Sequence, residues 1–143
     1  MYIAIEGTKG TGKSTLLENL EHKLQQEGID FQMFAPTKAM PKDTWWEKAY
    51  AEHCQDDVYL DSLYTARANY HASKIDFNAS LVLGDRSMLT SFVTRWPHDD
   101  LNRLVPYLNQ IRQKEFLVPL PDLVFYLDLP LEVTLARLAQ RER

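Results

Sequence analysis

Apolar positions along the chain fall into two alternating rhythms. Short continuous runs at Tyr2 to Glu6, Asp30 to Phe34, Leu81 to Gly84 and Leu123 to Leu127 predict four strands. Between them, helical spacing takes over. Leu16, Leu17, Leu20 and Leu24 mark a helix from Ser14 to about Glu27, with Gly28 where a C-terminal stop belongs. Helices are also predicted over Trp45 to Cys54 and Asp57 to about Lys74, and a short one follows Ser87, broken near Trp96-Pro97. His98-Asp99-Asp100 offers a cap for a helix running to about Phe116, and Leu131 onward is helical again. Ala35 to Asp43 and Pro119 to Pro121 read as loops.

Nearly all-apolar strands alternating with helices indicate an α/β fold, a doubly wound parallel sheet with flanking helices on both faces. No repeat, low-complexity stretch or linker interrupts residues 1–143, which are expected to form one domain. In such a sheet the ligand belongs at the carboxyl ends of the strands. Glu6-Gly7, Asp85-Arg86 and Asp128 all fall there.

One of those ends carries a complete motif. Gly7-Thr8-Lys9-Gly10-Thr11-Gly12-Lys13-Ser14 matches G-x-x-x-x-G-K-[ST], between an apolar strand and an amphipathic helix. Backbone N–H groups freed by the glycines, and the positive end of the helix, would cradle phosphates. Lys13 would reach the β- and γ-phosphates, Ser14 would ligate Mg²⁺, and Thr15 would help at the α-phosphate. The expected cofactors are therefore ATP and Mg²⁺. A P-loop serves kinases, switch GTPases and ATPases alike. No Asn-Lys-x-Asp sequence for guanine occurs, and the third strand ends in Gly84-Asp85-Arg86-Ser87 rather than an acidic pair. Asp85 can hold Mg²⁺ through water or take an acceptor's proton, and Arg86 can pair with an acceptor phosphate. A surface ion pair is the bland alternative for Asp85-Arg86.

Composition narrows the class further. Hydrophobic residues are 45% and charged residues 25% of 143, as in an ordinary globular protein. A net charge of −4 argues against duplex nucleic acid or an anionic membrane as partner. Cys54 is the one cysteine, which excludes an internal disulfide or a multi-cysteine zinc site. No signal peptide or spanning segment is read, so a cytoplasmic location is expected.

Glu6 to Thr15, Leu83 to Ser87 and Pro121 to Arg143 together resemble the thymidylate kinase and deoxynucleoside kinase branch of P-loop kinases. The resemblance implies a lid in which Arg137, Arg141 and Arg143 neutralise charge on the transferred phosphoryl group; basic residues late in a helix also suit its dipole. Leu63-Tyr64-Thr65-Ala66-Arg67 resembles the family's acceptor helix, implying Arg67 at the acceptor phosphate and an aromatic at the base, with Tyr64 offset by one position. Core packing of Leu60, Leu63 and Tyr64 is the competing account. Thr90 and Ser91 match small hydroxyl positions that contact base or acceptor. The resemblance also implies a homodimer.

The chain departs from that pattern at Ala35-Pro36-Thr37-Lys38, where an Arg-Glu-Pro-Gly-Gly run is usual, at Lys9 for an acid, and at Arg95 for Gln beside the base. Asp43 or Glu47 would serve either a monophosphate or a nucleoside acceptor. One of Trp45 and Trp46, with Tyr50, could wall a base pocket; core burial is the default. His53, His71 and His98 show no metal spacing. The sequence stops at Arg143 inside a predicted helix without a stop signal, short of the fifth strand and adenine loop that family members carry. The expected activity is a nucleotide kinase moving the γ-phosphoryl group of ATP to a nucleoside monophosphate. A kinase of a deoxynucleoside or other small alcohol, and a silent ATP-binding regulatory module, stay open.

Overall fold

A computed structural model describes residues 1–42, 44–97 and 100–141, without the side chain of Arg141. Asp43, His98, Asp99 and Arg143, singled out above, lie outside the described residues. The chain runs β1 (Tyr2–Gly7), α1 (Lys13–Gln26), β2 (Gln32–Phe34), α2 (Trp45–His53), α3 (Asp57–Ala72) and β3 (Val82–Asp85). It continues through α4 (Met88–Thr94), a 3₁₀ turn (Leu101–Arg103), α5 (Leu104–Lys114), β4 (Leu123–Leu127) and α6 (Leu131–Arg141). Each predicted strand and helix is present, with ends in place or shifted by up to three residues. The largest internal difference is at the helix after Asp100, which begins as the 3₁₀ turn, capped by the Asp100 side chain on Asn102 N at 3.0 Å.

Local chemistry explains several boundaries. Gly28, at φ +67°, ends α1: its N–H reaches Gln25 O at 3.2 Å, and Ile29 N reaches Leu24 O at 2.9 Å. These two bonds satisfy carbonyls the helix leaves unpaired. Asp56 caps α3 by accepting from Tyr59 N at 3.0 Å.

The four strands form one parallel sheet in the order β2-β3-β1-β4. β1 is central, with Ile5 opposite Asp85 on one side and Phe125 on the other. The chain leaves β1 toward β2 and β3, then crosses to β4, so the loop after β1 lies where the winding changes direction. That is where open α/β sheets bind ligands.

The main core joins Tyr2 and Ala4 of β1, Phe34 of β2 and Val82 of β3 to Ala68, Ala72, Met88 and Ile111 on α3, α4 and α5. Edge-to-face contacts of Phe34 with Tyr2 and Phe77, at 5.8 and 5.1 Å, fill its centre. A second cluster packs Met40, Trp46 and Leu63, with Trp46 Nε1 donating to Leu63 O at 2.9 Å.

β4 departs from the expectation of a sheet covered on both faces. Phe125 is 51% and Tyr126 63% exposed. β4 is the outermost strand, and among the described residues no further strand pairs with its free edge.

Gly84 lets β3 pass close to β1 and to the turn at Arg86. A Cβ there would lie 2.8 Å from Arg86 O and 2.8 Å from the Tyr2 ring. Gly84→Ala is therefore expected to destabilise the fold by about 1–3 kcal/mol, the usual cost of overpacking, measurable by denaturant unfolding.

Candidate active site

The loop between β1 and α1 is a P-loop in geometry as well as in sequence. Gly7, Gly10 and Gly12 have φ of +143°, +91° and +100°. At Gly7 a side chain is excluded twice over, since a Cβ would sit 2.6 Å from Leu127 O on β4. Thr11 closes the turn by donating to Thr8 O at 2.9 Å. Lys13 is buried and donates from Nζ to Gly7 O and Thr8 O, both at 2.7 Å. The ammonium thus lies along the floor of the loop. Ser14 and Thr15 are exposed in the first turn of α1.

α6 packs against the loop from outside. Leu138 and Thr134 abut Gly10, and Arg137 Nη1 donates to Thr11 O at 3.4 Å. Arg137 therefore stands at the P-loop, where the resemblance implied a lid arginine. The Arg141 side chain, expected beside it, lies outside the described residues.

The turn after β3 supplies the facing wall. Arg86 has φ +74°, in the left-handed region that costs a non-glycine residue energy. Its N–H donates to Ile5 O at 3.0 Å, its carbonyl accepts from the Tyr2 hydroxyl at 3.4 Å, and Nη1 donates to Thr90 Oγ1 at 3.3 Å. Asp85 ends β3 next to β1. A cavity of about 650 Å³ opens between these parts. Glu6, Thr8, Lys9, Arg86 and Thr90 line it together with Leu89, Phe92, Val124 and Tyr126, and its surface is mostly apolar. That volume suits a small organic ligand.

Glu6 received no role from the sequence, yet it organises the site. Its carboxylate is buried and accepts from Ser87 Oγ at 2.6 Å and Thr90 Oγ1 at 2.7 Å. An acid closing an otherwise apolar strand, beside the phosphate motif, was the available signal.

Arg67 and Tyr64 do not line this cavity. The Arg67 guanidinium lies 4.9 Å from the Tyr64 ring centroid and 5.7 Å from that of Trp46, which stacks on Tyr50 at 5.2 Å. Burial lowers the Arg67 pKa, with neighbouring Tyr64 opposing the shift. Trp46 is in the core and Trp45 is 60% exposed.

Arg95, read as standing beside a base, is committed to the protein instead. It donates to Asp61 Oδ1 at 2.7 Å, to Thr65 Oγ1 at 3.1 Å and to Ser91 O at 3.3 Å, and it pairs with Glu115. Lys114 joins Asp61 at 2.6 Å. Burial pushes the Glu115 carboxyl up, against the pull of Arg95. Asp61 is raised by burial but held below its usual value, on balance, by Lys114 and Arg95. This network joins α3, α4 and α5 beneath the cavity wall.

A P-loop at a topological switch point, beside an acid-arginine turn, is the arrangement of the P-loop nucleotide-binding fold. A family model described as Thymidylate kinase matches residues 5–143, and the chain belongs to that family. It is 29% identical to the thymidylate kinase of Wigglesworthia glossinidia brevipalpis, over 98% of this chain and 63% of that protein. It is 28% identical to that of Acinetobacter baylyi (strain ATCC 33305 / BD413 / ADP1), over 99% of this chain and 72% of that one. For that of Acinetobacter baumannii (strain AYE) the figures are 26%, 99% and 73%.

The ionic network generates two stability effects. Arg95→Met should cost about 3–5 kcal/mol in denaturant unfolding, because it strands the fully buried Glu115. Folded Asp61 binds its proton less tightly than unfolded Asp61, so its contribution is full above the ordinary value of 3.8 and fades as pH falls through the lower folded value. Asp61→Asn should therefore flatten the acid limb of Tm against pH.

Proposed function

We propose that this chain is an ATP-dependent kinase that passes the γ-phosphoryl group to a nucleoside monophosphate. One observation carries the proposal. The P-loop and the Asp85-Arg86 turn meet at the same end of the sheet, beside a cavity lined by both Lys9 and Arg86. One cation on the phosphate loop and a second on the turn across the cavity suit an acceptor that is itself anionic. The relatives' name, thymidylate kinase, points to the same class of acceptor.

The residues fit magnesium nucleotide. Ser14 and Asp85 offer a hydroxyl and a carboxylate oxygen, hard donors of the kind Mg²⁺ takes alongside water and phosphate oxygens. Among the described residues no cluster of three metal-binding side chains occurs, which matches a metal held chiefly through the nucleotide. When bound, Mg²⁺ neutralises charge on the phosphates. The chain's own part is positioning. Lys13 leaves the loop carbonyls for the β- and γ-phosphates, and the P-loop amides hold the nucleotide in line. Arg137 reaches over the loop toward the transferred group, with Arg141 assigned the same task. Arg86 grips the acceptor phosphate, and Asp85 serves the metal or the acceptor's proton. Thr90 stands on the acceptor side. Arg67 and Tyr64 lie outside this cavity.

The test is ADP release from ATP and Mg²⁺ with a panel of nucleoside monophosphates and the matching nucleosides. Turnover with one monophosphate and not its nucleoside is expected. Arg86→Ala should lower kcat/KM for that acceptor about 100-fold or more, and Lys13→Ala should abolish transfer while leaving the fold intact. Turnover with the nucleoside alone would move Arg86 to the transferred phosphate. ATP binding without turnover on any acceptor would overturn the kinase assignment and favour a regulatory nucleotide binder.

A further inference from the structure

We propose that Glu6 is a positioning residue for Arg86, acting through the hydroxyls of Ser87 and Thr90. The inference rests on the acceptor role given to Arg86 above.

The direction of each proton makes the case. A carboxylate can only accept, and the two oxygens of Glu6 are each engaged by one hydroxyl, Ser87 at 2.6 Å and Thr90 at 2.7 Å. Each hydroxyl has a single proton, and it is spent on Glu6. Toward every other neighbour, Ser87 and Thr90 can then only accept. Ser87 Oγ does so from Leu89 N at 3.1 Å, capping α4. Thr90 Oγ1 does so from Arg86 Nη1 at 3.3 Å. The carboxylate thus presents a lone pair to the guanidinium from the next turn of α4.

The backbone of Arg86 needs the same support. At φ +74° it is strained, and its N–H and carbonyl are both tied to β1, through Ile5 and the Tyr2 hydroxyl. Glu6 belongs to that strand as well. β1 therefore fixes the Arg86 backbone directly and its guanidinium at second hand. A carboxylate held in this way by two hydroxyls acts as an orienting group.

Replacing Glu6 by Gln keeps the shape but substitutes a donor for one acceptor, reversing one of the two bonds. With the full chain and its best acceptor, Glu6→Gln and Thr90→Val should each lower kcat/KM for the acceptor about 10-fold or more, the effect of one lost charge-assisted bond. KM for ATP should stay unchanged. The double variant should be no worse than the poorer single one, and the pH profile should keep its shape. Losses that multiply, or an acid limb that vanishes in Glu6→Gln but not in Thr90→Val, would overturn the inference and make Glu6 a proton acceptor in its own right. ¹⁵N relaxation of Arg86 Nε–H, assigned with Arg86→Lys, gives a readout free of turnover. The guanidinium should be ordered in the wild type and loosened in both variants. Unchanged order would refute the relay even if no acceptor is ever found, whereas loosened order without turnover would sink only the kinase assignment. Thr90→Val carries the test should Glu6→Gln fail to fold.

Discussion

The site depends on β1 being hydrogen-bonded on both sides. Ile3, Ala4 and Ile5 sit in register with β3 on one flank and β4 on the other. A central parallel strand has little freedom, so the loop leaving it starts from a fixed point and direction. Gly7 closes against Leu127 O of β4, while Ile5 O holds the Arg86 amide just past the end of β3. The phosphate cradle and the acid-arginine turn are consequently two extensions of one ladder. Their spacing is set by backbone pairing rather than by side chains that could drift.

Two buried carboxylates show how the surroundings were made to tolerate charge. Glu6 is satisfied by two neutral hydroxyls, which solvate it without cancelling its influence on nearby cations. Glu115, fully buried, pairs with Arg95, and its Oε2 has no hydrogen-bond partner among the described residues. Desolvation therefore dominates at Glu115 and raises its pKa. The Arg95 network braces three helices, whereas the Glu6 network braces one arginine. The first is architecture and the second is alignment.

Much of this was legible in the sequence because backbone requirements leave strong local marks. The P-loop glycines announce positive φ, Gly28 announces a helix stop, and contiguous apolar runs announce strands in a parallel sheet. Asp85-Arg86 was legible from its place at a strand end. What escaped depends on contacts between distant segments. Glu6 meets Ser87 and Thr90 across more than 80 residues, and Arg95 meets Asp61 and Glu115 on two other segments. Side-chain type alone assigns an arginine to a ligand as readily as to a partner carboxylate. The exposure of β4 was hidden for a related reason: five apolar residues read the same whether or not something covers them.

Cations gather at the P-loop although the chain as a whole is acidic. The chain carries 20 acidic against 16 basic residues, yet Lys9, Lys13, Arg86 and Arg137 all stand around or against one loop. Glu6, the buried acid among them, is turned inward to hydroxyls. At an ionic strength near 0.15 M, exposed charges more than about 8 Å away are largely screened, so the surface acids scarcely reduce the potential inside the cleft. The result is a local cluster of cations in an acidic body. Under the proposed kinase function, such a cluster offers a compact polyanion a place to bind and gives an extended phosphate backbone little else to hold.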